Sequence, residues 1–327
     1  MKNILLILQD EKMQLDSYRP LPFDLVRNLE DWFRVELTYT SNAIEGNTLS
    51  RAETALVVEK GITVAGKSLK EHLEAVNHAQ ALELIKQLAD RKRTALTEGH
   101  ILDIHRLILQ KIDDHNAGRY RSIPVRIAGS TSVLPNPIKV PDLMSEYIRW
   151  LRAIKDHPVK VAADAHFKLV TIHPFTDGNG RTARLVMNLL LTQAGYPPAI
   201  IRKQDRKKYI DSVEAGQLTG SLNDFYSLIY QAVNRSLDIY LDSVQPKPEP
   251  PKSSPGKLLK IGDLAELTRE TVPTIRHWTR GGLLSAADHS PGGYQLYHRN
   301  MIGIAKKIRR LQSQKRLTLT EIKKIIV

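Results

Sequence analysis

His173-Pro174-Phe175-Thr176-Asp177-Gly178-Asn179-Gly180-Arg181-Thr182-Ala183-Arg184 is the stretch from which the fold is read. An apolar run ends just before it, and a second apolar run, Leu185 to Leu191, follows it. That pattern predicts two buried helices joined by a tight turn. Gly178 and Gly180 around Asn179 free the backbone for left-handed angles and turn N–H groups inward as an anion nest. The helix that follows at once adds the positive end of its dipole. Arg181 and Arg184 are i and i+3, so both guanidinium groups leave one face of that helix near its start. Asp177 places a carboxylate beside the nest, the usual hard oxygen donor for Mg²⁺. His173 adds a group that exchanges a proton near neutral pH. Together these residue types suit a polyphosphate better than any other common ligand.

A Gly-Asn-Gly turn alone is more often a simple loop, and a His before Pro is more often a helix end. The combination is what carries information. The string resembles the signature of the Fic family, His-Pro-Phe-x-Asp/Glu-Gly-Asn-Gly/Lys-Arg-x-x-Arg, with every fixed position filled. The resemblance implies a nucleotidyltransferase that moves AMP from ATP to a Tyr, Thr or Ser hydroxyl of a target protein or of itself. It makes His173 the base, Asp177 the Mg²⁺ ligand, and Gly178, Asn179, Gly180, Arg181 and Arg184 the phosphate site. Two alternatives share these residues: a hydrolase that removes AMP, and a regulator whose body only senses nucleotide.

On either side of the motif the chain is helical. Leu143 to Ile154 and Val159 to Ile172 read as helices, and Gly195 with Pro197-Pro198 ends the second motif helix. Gly118-Arg-Tyr-Arg121 precedes a weakly alternating stretch with a Gly129-Ser-Thr-Ser turn, which predicts a short β-hairpin over residues 123–140. By resemblance that hairpin is a flap over the active site, pairing with a target segment by strand addition. Downstream, the stretch Asp205 to Tyr230 resembles the family's adenine-side region, with Tyr209 as the candidate beside the base.

Nearer the start, Leu21 to Leu37 and Leu69 to Leu88 carry apolar residues at helical spacing. Between them Ser41-Asn-Ala-Ile-Glu45-Gly46 reads as a helix end, with Gly46 suited to the left-handed closing position. An acidic residue is poorly placed at a helix C-terminus, so Glu45 gains from an external cation. The segment resembles the family's inhibitory pattern Ser/Thr-x-x-x-Glu-Gly/Asn, filled by Ser41, Glu45 and Gly46. In the family that Glu pairs with the second motif arginine, here Arg184, in the place of the ATP γ-phosphate. The resemblance therefore implies an autoinhibited enzyme with an inhibitory helix around residues 36–46.

The net charge of +13 over 327 residues is uneven. From Lys257 onward 14 Lys/Arg face 5 Asp/Glu, while the preceding 256 residues hold 34 against 30. A basic tail on a nearly balanced body suggests a polyanion partner for the tail. Residues 245–256 hold five prolines, an extended spacer between domains. Beyond it, Ile261 to Trp278 reads as two short helices about a turn, capped by Thr271, with Ile275 and Trp278 inward. Thr274, Arg276 and His277 are left outward for phosphates or base edges. Gly281-Gly-Leu-Leu and Gly293-Tyr294-Gln295-Leu-Tyr297 complete a resemblance to the MerR family's winged helix-turn-helix, with Tyr294 on the wing. That family usually has Arg where this chain has Gln295, so the wing carries less charge toward DNA.

The expected organisation is a mainly α chain. It comprises an N-terminal helical region 1–100, a Fic-type core 101–244 with the hairpin flap, the linker 245–256 and a winged helix-turn-helix domain 257–327. With no cysteine there is neither disulfide nor Cys-ligated zinc, and a reducing interior is compatible. Ile4 to Leu8 is too short for a signal core and no run approaches a membrane span, so the expected location is the cytoplasm. Expected partners are ATP with Mg²⁺, an unidentified protein, duplex DNA and, compatibly, a second copy of the chain.

Overall fold

The helix at the centre of the N-terminal unit is the one the motif opens. The computed structural model describes residues 2–127, 130–244, 258–290, 293–315 and 317–326. Its contacts divide it into two units, Met1–Gln245 and Pro246–Val327. In the first, helices α1 (Lys2–Asp16), α2 (Phe23–Ile44), α3 (Arg51–Lys60), α4 (Leu69–Ala89) and α5 (Glu98–Leu109) precede the motif. They are followed by α6 (Val140–Ala153), α7 (Pro158–Ile172), α8 (Asn179–Gln193), α9 (Arg206–Thr219) and α10 (Asn223–Val244). Every residue of α8 from Arg181 to Leu191 is buried, because α4, α5 and α7 pack around it. From Leu185 to Leu191 it is apolar apart from Asn188, and a helix of that kind is stable only inside a core. Each fully buried Leu, Val or Met there contributes about 1.5–3 kcal/mol relative to exposure.

Local chemistry starts the surrounding helices. Ser50 with Glu53 and Ser68 with Glu71 form reciprocal capping boxes at α3 and α4. Pro158 opens α7 at a position that needs no N–H donor. The core joins residues from both sides of position 100, among them Leu8, Phe33, Leu82, Ile104, Leu169 and Leu189. The chain ahead of residue 100 is thus built into the same core as the motif.

One expectation fails. Among the described residues of 123–140 there is no strand; Pro137–Lys139 form a single 3-10 turn and α6 begins at Val140. Pro135 and Pro137 remove N–H donors that a ladder would need. The segment is held by side chains instead. Arg121 Nη2 donates to the Pro135 carbonyl at 2.6 Å, and Ser130 Oγ and Thr131 N donate to Glu214 Oε1 at 2.8 and 3.1 Å. Ala128 and Gly129, in the expected turn, lie outside the described residues, as do the proline-rich stretch 245–256 and Pro291 and Gly292 of the wing.

The second unit has its own core, including Leu264, Ile275, Trp278, Tyr297, Ala305 and Ile308. Strand β1 (Leu259–Lys260) leads into α11 (Ile261–Thr268), and a turn with Arg269 left-handed at φ 58° leads to α12 (Val272–Arg280). Strands β2 (Asp288–His289) and β3 (Gln295–Tyr297) make the wing, and α13 (Met301–Lys315) and α14 (Leu319–Ile326) follow. The sheet order is β1-β3-β2, antiparallel throughout, with Leu259 opposite Tyr297 and His289 opposite Gln295. The fold is mainly helical with a small winged helix-turn-helix. No helix among the described residues is long and apolar enough to cross a membrane.

Candidate active site

The turn between α7 and α8 begins at His173, which closes α7 in the left-handed region at φ 51° and ψ 60°. Its N–H still bonds the Leu169 carbonyl at 2.9 Å. That backbone is unusual for a residue with a side chain and is held from outside. Arg121 Nε donates to the His173 carbonyl at 2.7 Å, and Arg121 N donates to the Pro174 carbonyl at 2.9 Å. On the ring, Nδ1 lies 3.2 Å from the Val170 carbonyl. A carbonyl only accepts, so Nδ1 carries the hydrogen and Nε2 presents its lone pair. Burial pushes the His173 pKa below the ordinary histidine value, which keeps the ring neutral near pH 7.

The loop then closes on itself. Asn179 Oδ1 accepts from Phe175 N and Asn179 Nδ2 donates to the Phe175 carbonyl, both at 2.9 Å. The Asn179 side chain is therefore a clamp on the turn, and only its backbone N–H is left for an anion. Gly178 caps α8 with φ 76°. Asp177 Oδ1 accepts from Gly178 N at 2.6 Å, and the Asp177 side chain is 57% exposed. Ahead of the first full turn of α8, the N–H groups of Asn179, Gly180 and Arg181 have no preceding helical carbonyl.

The two arginines lie inside. Arg181 Nη1 donates to Glu74 Oε1 at 3.2 Å and Nη2 to Asp177 Oδ2 at 3.4 Å. Arg184 is surrounded: Nε donates to Ser41 Oγ at 3.0 Å, and Nη2 donates to the Ser41 carbonyl at 3.0 Å and to Glu45 Oε1 at 2.6 Å. Gly180 leaves room for this contact, since a Cβ there would come within 2.5 Å of Glu45 Oε1. The acceptor residues sit at the end of α2, which runs unbroken from Phe23 to Ile44, with Glu45 at its cap and Gly46 at φ 101°. Asn47 and Asn42 tie that end to α4 through Glu74, and Arg206 Nε caps the Ile44 carbonyl at 2.7 Å.

Tyr209 lies elsewhere than expected. It is 4% exposed, accepts from Arg184 Nη1 at 3.4 Å and stands 2.9 Å from His166 Nε2. Enclosed in this way it supports Arg184 from behind and offers no open ring face to a base. Burial holds His166 down to about 3, so it is the neutral acceptor of the Tyr209 hydroxyl.

Three residues important to this geometry escape sequence reasoning, Glu74, His105 and His166, while Arg121 stands out there only as part of Gly118-Arg-Tyr-Arg121, without a role. His105 stacks on Phe175 at 3.6 Å between centroids and is pushed down to about 4 by burial. A polar residue on the apolar stripe of an amphipathic helix was the available signal for both histidines. In the second unit, Arg276 and His277 are exposed on α12, Thr274 is half-buried and bonded to Thr271 at 2.8 Å, and Tyr294 is exposed. Gln295 accepts from the Tyr297 hydroxyl at 2.8 Å.

Two parts of the chain match known families. Residues 95–191 fit the Fic/DOC family, and residues 259–326 fit the MerR HTH family of regulatory proteins. A protein adenylyltransferase Fic from Culex quinquefasciatus is 39% identical over 237 residues, covering 72% of this chain and 47% of that protein. The chain spans about half the length of the curated relatives it matches. Among solved structures, a Fic-1 fragment from C. elegans has a TM-score of 0.68 at 31% identity, covering 74% of this chain and 72% of the fragment. A Fic domain containing signaling protein from Bacteroides thetaiotaomicron has a TM-score of 0.65 at 32% identity, covering 74% and 96% respectively.

Proposed function

This chain belongs to the Fic family, and from that we propose that it is a protein adenylyltransferase held off by Glu45. It transfers AMP from ATP to a Tyr, Thr or Ser hydroxyl on a target protein or on itself. The observation that carries the reading is the His173 ring, neutral through burial, with Nδ1 engaged by the Val170 carbonyl and Nε2 presented beside the α8 N-terminus. His173 Nε2 takes the proton of the acceptor hydroxyl. The hydroxyl oxygen attacks the α-phosphorus, and pyrophosphate leaves with the electron pair of the broken bond. The Gly178–Arg181 turn receives the phosphates with N–H groups set before the reaction starts.

ATP arrives as its magnesium complex. Mg²⁺ takes one or two carboxylates and fills the rest of its shell with phosphate oxygens and waters. Asp177, an exposed carboxylate beside the nest, fits that donor set and would hold the ion, which would supply neutralisation of phosphate charge. Arg184 would meet the γ-phosphate once Glu45 leaves it. We assign the second unit to duplex DNA, through Arg276 and His277 of α12, and the whole to the cytoplasm.

The test is transfer of label from α-labelled ATP by wild type, Glu45→Gly and His173→Ala. The reading requires more label with Glu45→Gly than with wild type, and none when His173→Ala is added to it. Equal labelling with and without His173 would overturn the mechanism, and no gain from Glu45→Gly would overturn the inhibition.

A further inference from the structure

His105 touches three parts of the site loop without any place in the transfer chemistry. It lies on α5 and is fully buried. Its Nε2 is 3.0 Å from the Asp177 carbonyl oxygen, and its Nδ1 is 3.0 Å from Gly118 N. Its ring lies flat against Phe175, at 4° between planes. A Cβ on Gly178 would come within 3.3 Å of the same ring. The carbonyl only accepts and the backbone N–H only donates. Both bonds therefore need one neutral tautomer, with the hydrogen on Nε2 and the lone pair on Nδ1.

The bond to Asp177 has a geometric consequence. The Asp177 carbonyl and the Gly178 N–H are the two ends of one planar trans peptide, so they point in opposite directions. Holding the carbonyl inward, against α5, holds the N–H outward. That N–H is the donor to Asp177 Oδ1. His105 thus sets the peptide plane, and the Gly178 N–H, together with Arg181 Nη2 on the other oxygen, sets the Asp177 carboxylate. Little else restrains this peptide, because Gly178 turns through left-handed angles at no steric cost. A flipped peptide would aim a carbonyl dipole at the phosphates and swing the carboxylate away.

We propose that His105 is a positioning residue, fixing the Asp177–Gly178 peptide so that the carboxylate and the nest meet MgATP together. This rests on the reading of Asp177 as the magnesium ligand of bound nucleotide. It differs from a packing role in requiring a donor at the Nε2 position. Gln carries an amide donor near the place of Nε2 but offers Gly118 nothing. Asn keeps an acceptor near the place of Nδ1 but cannot reach Asp177.

The experiment uses the full chain with Glu45→Gly, into which His105→Gln and His105→Asn are introduced singly. MgATP binding is measured by calorimetry, ATP binding in EDTA is measured alongside, and melting temperature is recorded for each variant. We expect His105→Gln to bind MgATP within about threefold of its parent, and His105→Asn to bind about tenfold more weakly. The Asn deficit should shrink in EDTA, where the carboxylate has no cation to hold. Equal MgATP affinities for Asn and Gln, or losses that follow the melting temperatures alone, would overturn the proposal. Transfer is assayed separately. A chain that binds MgATP but labels no protein counts against the transferase reading, while the binding series still decides the role of His105.

Discussion

Glu45 Oε1 lies 2.6 Å from Arg184 Nη2, and the two residues come from helices that are 139 positions apart in sequence. The arginine is 6% exposed in its side chain and the glutamate 37%. Arg184 has the Glu45 carboxylate at its head, while Glu45 keeps one side in water. Ser41 and Tyr209 bind the rest of the guanidinium, so Arg184 remains seated if the glutamate departs.

The first prediction follows from that asymmetry. Glu45→Gly removes one charge-assisted bond, of about 1.5–3 kcal/mol, at a half-exposed acceptor. ATP affinity and AMP transfer should rise by about tenfold or more, while the melting temperature falls by several degrees. Arg184→Ala should abolish the gain in the same background. Parallel transfer and thermal measurements on the three proteins check this.

The pH profile of transfer provides a second test. Burial lowers the His173 pKa from the ordinary value of about 6.5. The base is therefore neutral near pH 7 and takes its proton at a lower pH than an ordinary histidine does. The acid limb of transfer by Glu45→Gly should lie below the ordinary histidine value. A midpoint above 7 would contradict the buried setting.

Acid stability reports on the other histidines. His78 and His166 are held down to about 3 and His105 to about 4, each chiefly by burial. Unfolded, each titrates near 6.5. Between pH 6.5 and 5 the unfolded chain therefore binds protons that the folded chain does not. The stability they contribute is present above 6.5 and is lost as pH falls, by up to about 1.4 kcal/mol per unit per histidine. Denaturant midpoints at pH 7 and pH 5.5 should show this, with a shallower slope for His78→Gln. A midpoint independent of pH over that range would refute it.

How far the sequence could be read depended on whether a signal was local. The turn from His173 to Arg184 and the α2 end at Gly46 are set by residues within one helical turn of each other, and both lie where the pattern puts them. The flap expectation rests on weak alternation over Val125 to Ala128, while Pro135 and Pro137 deny a ladder its donors. Tyr209, expected beside the base, stands against Arg184 and His166, because an aromatic on a helix gives no sign of which neighbour it meets. His105 and Glu74 meet the motif from 72 and 107 positions away. Only tertiary packing brings them there, so no window of sequence contains the contact.

Arg121 holds the start of the motif, at the His173 and Pro174 carbonyls. It is 3% exposed and its guanidinium serves the carbonyls of His173, Ile123 and Pro135. A lysine keeps the charge but cannot present the planar fork to three acceptors. Arg121→Lys should destabilise the first unit by about 2–4 kcal/mol through stranded carbonyls. Transfer should fall by more than ATP binding does, because His173 rather than the phosphate nest loses its support. Comparing kcat with nucleotide affinity separates the two.

The DNA assignment turns on which face of α12 is bare. Ile275 and Trp278 are buried in the second unit's core, while Arg276 and His277 between them are exposed. Gln295 is bonded to Tyr297, which in turn stands 2.9 Å from Thr279 Oγ1, so the wing strand adds no cation at that position. Binding should then depend on α12 and the exposed lysines Lys306 and Lys307 of α13. For the full chain on duplex DNA, affinity should fall linearly in a log–log plot against salt. Arg276→Ala should reduce that slope by about one if the side chain meets a phosphate. If it meets a guanine edge, the slope should hold and sequence preference should relax, at a cost of about 1–3 kcal/mol. Gln295→Arg should restore a wing contact and steepen the slope. An affinity unchanged by salt, or by both substitutions, would leave the unit as a protein-docking module.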